Sequence, residues 1–429
     1  MQDQSTAKIT KELLLPVLKE QYEAFSTKDL GVPREILTNL KTVIQAPQVV
    51  VITGLRRVGK STLLAQLAQK YLKDNFYFVS FEDERFLNFK ATDFDLLFES
   101  LVSLFGEKKT FLFDEVQNVP AWERFVRRLH DQDFKVLVTG SNASLLSREL
   151  GTRLTGRSIG VELFPFSFRE FLTFNKVATS KAKVLTTAQK GIFLRHHNRY
   201  LKSGGIPDAL KYPRLPIHKT LYDDVLYRDI ATRYQIENVK SLKELAFYLV
   251  SNTASLVSYN KLKEFLKLGS VNTVINYIEY LENSWLFFVN NRHASSVKKQ
   301  QIASKKIYCV DTGLARSVGF SFSENKGRLL ENLVFLELKR RNLDSYYFKT
   351  TNDYEVDFYL PGSRTFIQVA AHLGDETTRK REFRSLVEAA KSQPGKQKLM
   401  IITESEGGTY EDSGFTIVVL PFYKWALSA

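Results

Sequence analysis

Cysteine is almost missing: Cys309 is the single one in 429 residues, which excludes an internal disulfide and a zinc site built on cysteine thiolates. Long apolar runs are missing as well. No uninterrupted stretch approaches the roughly 20 residues of a membrane-spanning helix, and the opening MQDQSTAKITKELL lacks the basic-then-apolar order of a secretory signal. The expectation is a soluble, cytoplasmic protein with no membrane partner. With 44% hydrophobic and 25% charged residues the chain has ordinary globular composition, so wholesale disorder is excluded, and at roughly 150 residues per domain its length corresponds to about three domains. Acidic residues fall short of basic ones, 47 against 61, for a net charge of +14. That balance gives a long-range field that attracts polyanions such as nucleic acid, or else serves only solubility.

What is present is concentrated in the first third. QVVVIT (48–53) is a short β-branched run of the kind found in buried parallel strands. It runs into Gly54-Leu55-Arg56-Arg57-Val58-Gly59-Lys60-Ser61, a full match to the G-x-x-x-x-G-K-[ST] phosphate loop, and Thr62 then opens the helical pattern TLLAQLAQKYL. Glycines let such a loop curl so that its amides face phosphate oxygens, and the helix directs its positive dipole end at the same anion. Lys60 is a mobile cation for the outer phosphates and the Ser61 hydroxyl a Mg²⁺ ligand. A second apolar strand, TFLFDE (110–115), ends in Asp114 and Glu115. In phosphate-loop enzymes an acid at this tip holds Mg²⁺ and its neighbour orients the attacking water, which assigns Asp114 to the metal and Glu115 to the water. KVLVTGSNASLL is a third strand, ending in Thr139, Ser141 and Asn142, expected on the same sheet edge by doubly wound logic. The implied cofactors are ATP and Mg²⁺.

GLRRVGKST, FLFDEVQNV, VLVTGSNASLLSREL and LTGRSIGVELFPFSFREFL together resemble the bacterial and archaeal AAA-type ATPases with a C-terminal DUF4143 region, and YLKSGGIPDAL and LLENLVFLELKRR extend the resemblance over most of the chain. The resemblance implies a polar sensor of the γ-phosphate at Ser141 or Asn142. It also implies an arginine inserted by a neighbouring subunit, with Arg157 favoured, Arg153 next and Arg148 a further candidate, and hence a homo-oligomeric ring or filament.

Residues 180–235 read as helical, broken at Gly204-Gly205-Ile206-Pro207. Residues 241–292 have the order of a winged helix: SLKELAFYLVSNT, SYNKLKEFLK, and VNTVINYIEYLENSW with Ser270 as N-cap, then the strand WLFFVNNR. Asn272, Asn276 and Tyr277 sit on the supposed recognition helix. Lys261, Lys263 and Lys267, with a basic hairpin-like tip from Arg292 to Lys306, suit contacts to the DNA backbone rather than to bases; a helical packing or oligomerisation module is the alternative.

The last region resembles the restriction-endonuclease-like fold, through a helical Glu331, then Asp357, then Gln368-Val369-Ala370 in place of [E/Q]-x-K. The lysine position is alanine, which reads as a degenerate site without its cation. His372 could ligate a metal, although a lone histidine is more often an ordinary surface group.

The expected fold is therefore α/β: a phosphate-loop NTPase (AAA-type) domain with an N-terminal helical segment over 1–175, a helical lid over 176–238, a winged-helix module over 239–310, and a degenerate nuclease-like α/β domain over 311–429. The expected function is Mg²⁺-dependent ATP hydrolysis coupled to DNA binding or remodelling, as in a translocase or branch-migration motor. A nucleotide-gated switch that recruits a protein partner, and an ATP-regulated nuclease, are the alternatives.

Overall fold

A computed structural model describes residues 8–143, 156–179, 185–320 and 326–428. The chain forms two compact units, Met1–Leu163 and Phe164–Ala429.

The first unit is built on five parallel strands, β1 (Val49–Thr53), β2 (Tyr77–Ser80), β3 (Thr110–Asp114), β4 (Lys135–Gly140) and β5 (Ser158–Glu162), in the order β2-β3-β4-β1-β5. Every residue of β1 and β3 is buried, as expected of strands covered on both faces. The helices α1 (Lys11–Ser26), α2 (Leu37–Gln45), α3 (Lys60–Leu67), α4 (Phe94–Phe105) and α5 (Trp122–Asp131) complete the layers. An aromatic core fills one side, with Phe94 stacked on Phe125 at 4.3 Å and Phe111, Phe113 and Phe81 around them. Because all five strands run the same way, their carboxyl ends share one edge. The loops after β1, β3 and β4 therefore emerge side by side, with β4 between the other two.

The second unit holds a mixed six-stranded sheet and a three-stranded antiparallel one. The small sheet has β8 (Lys305–Cys309) between β6 (Ser255–Val257) and β7 (Phe287–Asn290). The three helices expected beside it lie at Val239–Ser251, Tyr259–Phe265 and Val271–Asn283, and the Ser270 hydroxyl caps the third by accepting from the Asn272 amide at 3.0 Å. The large sheet is ordered β13-β14-β12-β11-β10-β9, formed by β9 (Tyr346–Lys349), β10 (Glu355–Leu360), β11 (Thr365–Val369), β12 (Lys398–Thr403), β13 (Gly408–Asp412) and β14 (Phe415–Pro421). β11, β12 and β14 are parallel; the other pairings are antiparallel.

Two readings of this half are corrected. The segment from Arg292 to Lys306 is not a basic hairpin-like tip: Val297–Ile302 is helical, and Lys305 and Lys306 are buried in β8. Tyr277 is buried in the core, since position 277 falls on the inner stripe of its helix with Val274, Ile278 and Leu281. Asn272 and Asn276 are exposed.

The break at Gly204-Gly205 has a partner distant in sequence. The buried Asp311 carboxylate accepts from the Gly205 amide at 2.6 Å and caps the helix Thr312–Val318 by accepting from Leu314 at 2.9 Å. Asp311→Ala leaves two buried amides without this acceptor, and a loss of about 2–3 kcal/mol is expected, measured as a lower urea midpoint of the second unit.

Candidate functional site

The loop between β1 and α3 is shaped by sterics. A Cβ on Gly54 would lie 2.2 Å from the Leu163 carbonyl oxygen, and Gly59 sits at φ +100°, so both positions demand glycine. Leu55 and Val58 are buried, Arg56 is half-buried and Arg57 points to solvent. Arg56 pairs with Glu82 at 3.2 Å. Lys60 is buried, its Nζ donating to the carbonyls of Gly54 at 3.2 Å and Leu55 at 3.4 Å and pairing with Glu115 at 3.2 Å. Ser61 and Thr62 open α3 on the half-buried side of the loop.

The strand tips converge on the same place. The Ser61 side chain hydrogen-bonds the buried Asp114 carboxylate, joining the two residues expected to hold Mg²⁺. Thr139, from β4, donates its hydroxyl to Asp114 Oδ1 at 2.5 Å and accepts from the Glu115 amide at 3.0 Å. Glu115 has left-handed backbone angles, φ 51° and ψ 45°. Its Oε1 faces Lys60, and its Oε2 accepts from Gln117 Nε2 at 2.5 Å. Burial pushes Asp114 above its ordinary value against the Ser61 and Thr139 hydrogen bonds. For Glu115 burial acts the same way, but Lys60 and Gln117 together outweigh it and hold the carboxyl low. A hydroxyl and a carboxylate side by side are the hard oxygen donors that Mg²⁺ takes, so these residues fit the metal.

Of the remaining expected residues, Ser141 and Asn142 are buried at the end of β4, on the edge shared with the loop. Arg157 lies elsewhere. Its carbonyl accepts from the Val49 amide at the start of β1, five residues or about 17 Å from the loop end, and its guanidinium faces Asp131 at 3.8 Å. Arg148 and Arg153 fall outside the described residues. Two residues escaped notice in the sequence. Buried Arg34 donates to the Val58 carbonyl inside the loop at 3.0 Å, and Gln66 of α3 ties down the same strap through the carbonyls of Leu30 and Val32. One arginine among 61 cations carries no sequence signal of that kind.

At the C-terminal constellation Glu331 and Asp357 are buried together, position 370 is alanine, and a cation that the sequence pattern does not place there, Lys306 of β8, lies 2.8 Å from both carboxylates through its Nζ. Gln368 accepts from the Asp357 amide at 3.2 Å and donates to Glu382 at 2.7 Å. His372 is on the surface near Glu404.

The raised Asp114 value implies a stability cost with a definite sign. The folded state holds this proton more tightly than the unfolded one, so stability falls as pH rises above the ordinary value of 3.8. Asp114→Asn is expected to raise the neutral-pH melting midpoint of the nucleotide-free protein by about 2–4 °C. The gain should vanish in acid, where Asp114 is protonated in both states; calorimetry across pH measures it.

Three family models tile the chain: an AAA domain over residues 46–172, a domain of unknown function (DUF8612) over 194–325 and another (DUF4143) over 326–424. An uncharacterized protein of Methanocaldococcus jannaschii is 38% identical over 396 residues, 88% of each chain. One from Haemophilus influenzae is 31% identical over 344 residues, 76% of this chain and 83% of its own. Among solved structures, the Aeropyrum pernix ORC1 protein in complex with DNA aligns over 74% of this chain and 97% of that one, with 14% identity and a TM-score of 0.31. The chain belongs to the family of AAA-domain proteins that carry DUF4143 at the C-terminal end.

Proposed function

We propose that this protein is a Mg²⁺-dependent ATPase that acts on DNA. The observation that carries the nucleotide half is the junction of Ser61, Asp114, Lys60 and Glu115 at one sheet edge. Lys60 and the amides of Gly54 to Thr62 bind the phosphates, Ser61 and Asp114 hold Mg²⁺, and Glu115 orients water for in-line attack on the γ-phosphate, with Asn142 as sensor. Bound Mg²⁺ neutralises charge that builds on the phosphate oxygens. Lys60 holds two carbonyls and one carboxylate; phosphate oxygens replace them, which frees Glu115 to face water. Arg157, remote from its own chain's loop, acts across a subunit boundary in a homo-oligomeric ring, with Arg153 the second candidate.

The DNA half rests on where the charge lies. Residues 176–310 hold 22 Lys and Arg against 9 Asp and Glu, whereas 1–175 hold 23 against 22 and 311–429 hold 16 against 16. Almost the entire excess falls on the proposed lid and winged helix, where Lys261 and Lys267 are exposed, as backbone-contacting modules require. The C-terminal nuclease-like domain is assigned a binding or structural role.

Glu115→Gln removes both the water-orienting group and the counter-charge on Lys60. Turnover is expected to fall about 10²–10⁴-fold, while ATP binds more tightly than in the wild type. Lys60→Ala should lose nucleotide binding. Single-turnover hydrolysis and nucleotide titration measure both, and wild-type turnover in Glu115→Gln would refute the assignment. DNA stimulation of turnover that falls steeply with salt tests the second half.

A further inference from the structure

The group around Lys306 gathers three carboxylates about one ammonium, two of them buried, and among the described residues no cluster of His, Cys, Asp and Glu is arranged to hold a metal ion. Three carboxylate oxygens converge on one Nζ: Glu331 Oε1 at 2.8 Å, Glu355 Oε1 at 2.9 Å and Asp357 Oδ1 at 2.8 Å. These are ordinary lengths for ammonium–carboxylate hydrogen bonds. The ammonium donates to Glu331 Oε1 and Asp357 Oδ1, both at 2.8 Å, and pairs by charge with Glu355 at 2.9 Å. The acids are fixed from behind: Tyr308 donates its hydroxyl to Glu331 Oε1 at 2.7 Å, and the Val369 amide donates to Asp357 Oδ2 at 2.9 Å. The Lys306 side chain is only 3% exposed, with Glu331 and Asp357 buried beside it and Glu355 half-buried at the rim.

We infer that Lys306 is the resident cation of this carboxylate cluster, standing where a Mg²⁺ or Mn²⁺ ion would be coordinated and closing the site to metal. A divalent ion bonds carboxylate oxygens at about 2.1 Å; beside Nζ it would meet both a like charge and oxygens whose lone pairs already face N–H groups. Gln368, committed to the Asp357 amide and to Glu382, adds no anionic ligand to offset that. Three carboxylates this close repel one another, and the ammonium between them offsets that repulsion. The ammonium also braces β8 of the three-stranded sheet to β10 of the six-stranded one, so the site is a structural strut rather than a hydrolytic centre. None of this depends on the nucleotide site.

The test is Mn²⁺ uptake by the nucleotide-free full chain, followed by electron paramagnetic resonance and by melting temperature. Lys306→Met is expected to bind one more Mn²⁺ per chain than the wild type, to melt lower without metal, and to recover with millimolar Mn²⁺; adding Asp357→Asn should abolish the extra ion. In the wild-type background Asp357→Asn should leave Mn²⁺ stoichiometry unchanged. A drop of one ion there would overturn the inference, as would a folded Lys306→Met that takes up no additional Mn²⁺. If Lys306→Met does not fold without metal, rescue by Mn²⁺ supports the inference. Lack of rescue, together with a folded Lys306→Gln that gains no ion, overturns it.

Discussion

The hydrogen bond between Ser61 and Asp114 is where the two halves of the proposed nucleotide site meet, and much of the first unit is arranged to make it possible. Neither residue is near the other in sequence. They meet because β1 and β3 run in the same direction with β4 between them, which sets both carboxyl ends at one edge, where Thr139 of β4 hydrogen-bonds Asp114 and the Glu115 amide. The arrangement is electrostatically tense: burial disfavours the charged form of the Asp114 carboxyl more than two hydroxyls and a nearby ammonium favour it. Such tension is common where a protein keeps charge ready for a ligand at the expense of stability.

Two buried lysines show how the stoichiometry of partners decides between an open site and a closed one. Lys60 has two carbonyls and one carboxylate, and the neutral oxygens are weak competitors for a polyphosphate. Lys306 has three carboxylates at hydrogen-bond distance, and a new anion or cation gains nothing there. The same residue type, similarly buried, is proposed as a receptor in one unit and as a plug in the other.

The placement of the residues proposed to bind nucleotide was legible in the sequence because their pattern is local: the loop glycines, Lys60 and Ser61 are contiguous, and Asp114 and Glu115 end a recognisable apolar run. The strands and the helix order of the basic region were legible for the same reason, since hydrophobic period and the Ser270 cap act over a few residues. What could not be read was long-range. The Arg34 contact to Val58 and the Asp311 contact to Gly205 depend on packing between distant segments. Lys306 reads as one more cation in KKQQIASKK, and only the pairing of β8 turns it inward. Tyr277 failed for the opposite reason: a polar tip suggested a surface role, but helical phase puts its ring in the core.

The most direct measurement is a crystal structure of the protein with Mg²⁺ and a non-hydrolysable ATP analogue. The expected result has Ser61 Oγ on the metal, Asp114 beside it, and Lys60 Nζ moved from the Gly54 and Leu55 carbonyls and Glu115 onto phosphate oxygens. A nucleotide bound away from this edge, or Lys60 still paired with Glu115 while the triphosphate is present, would contradict it.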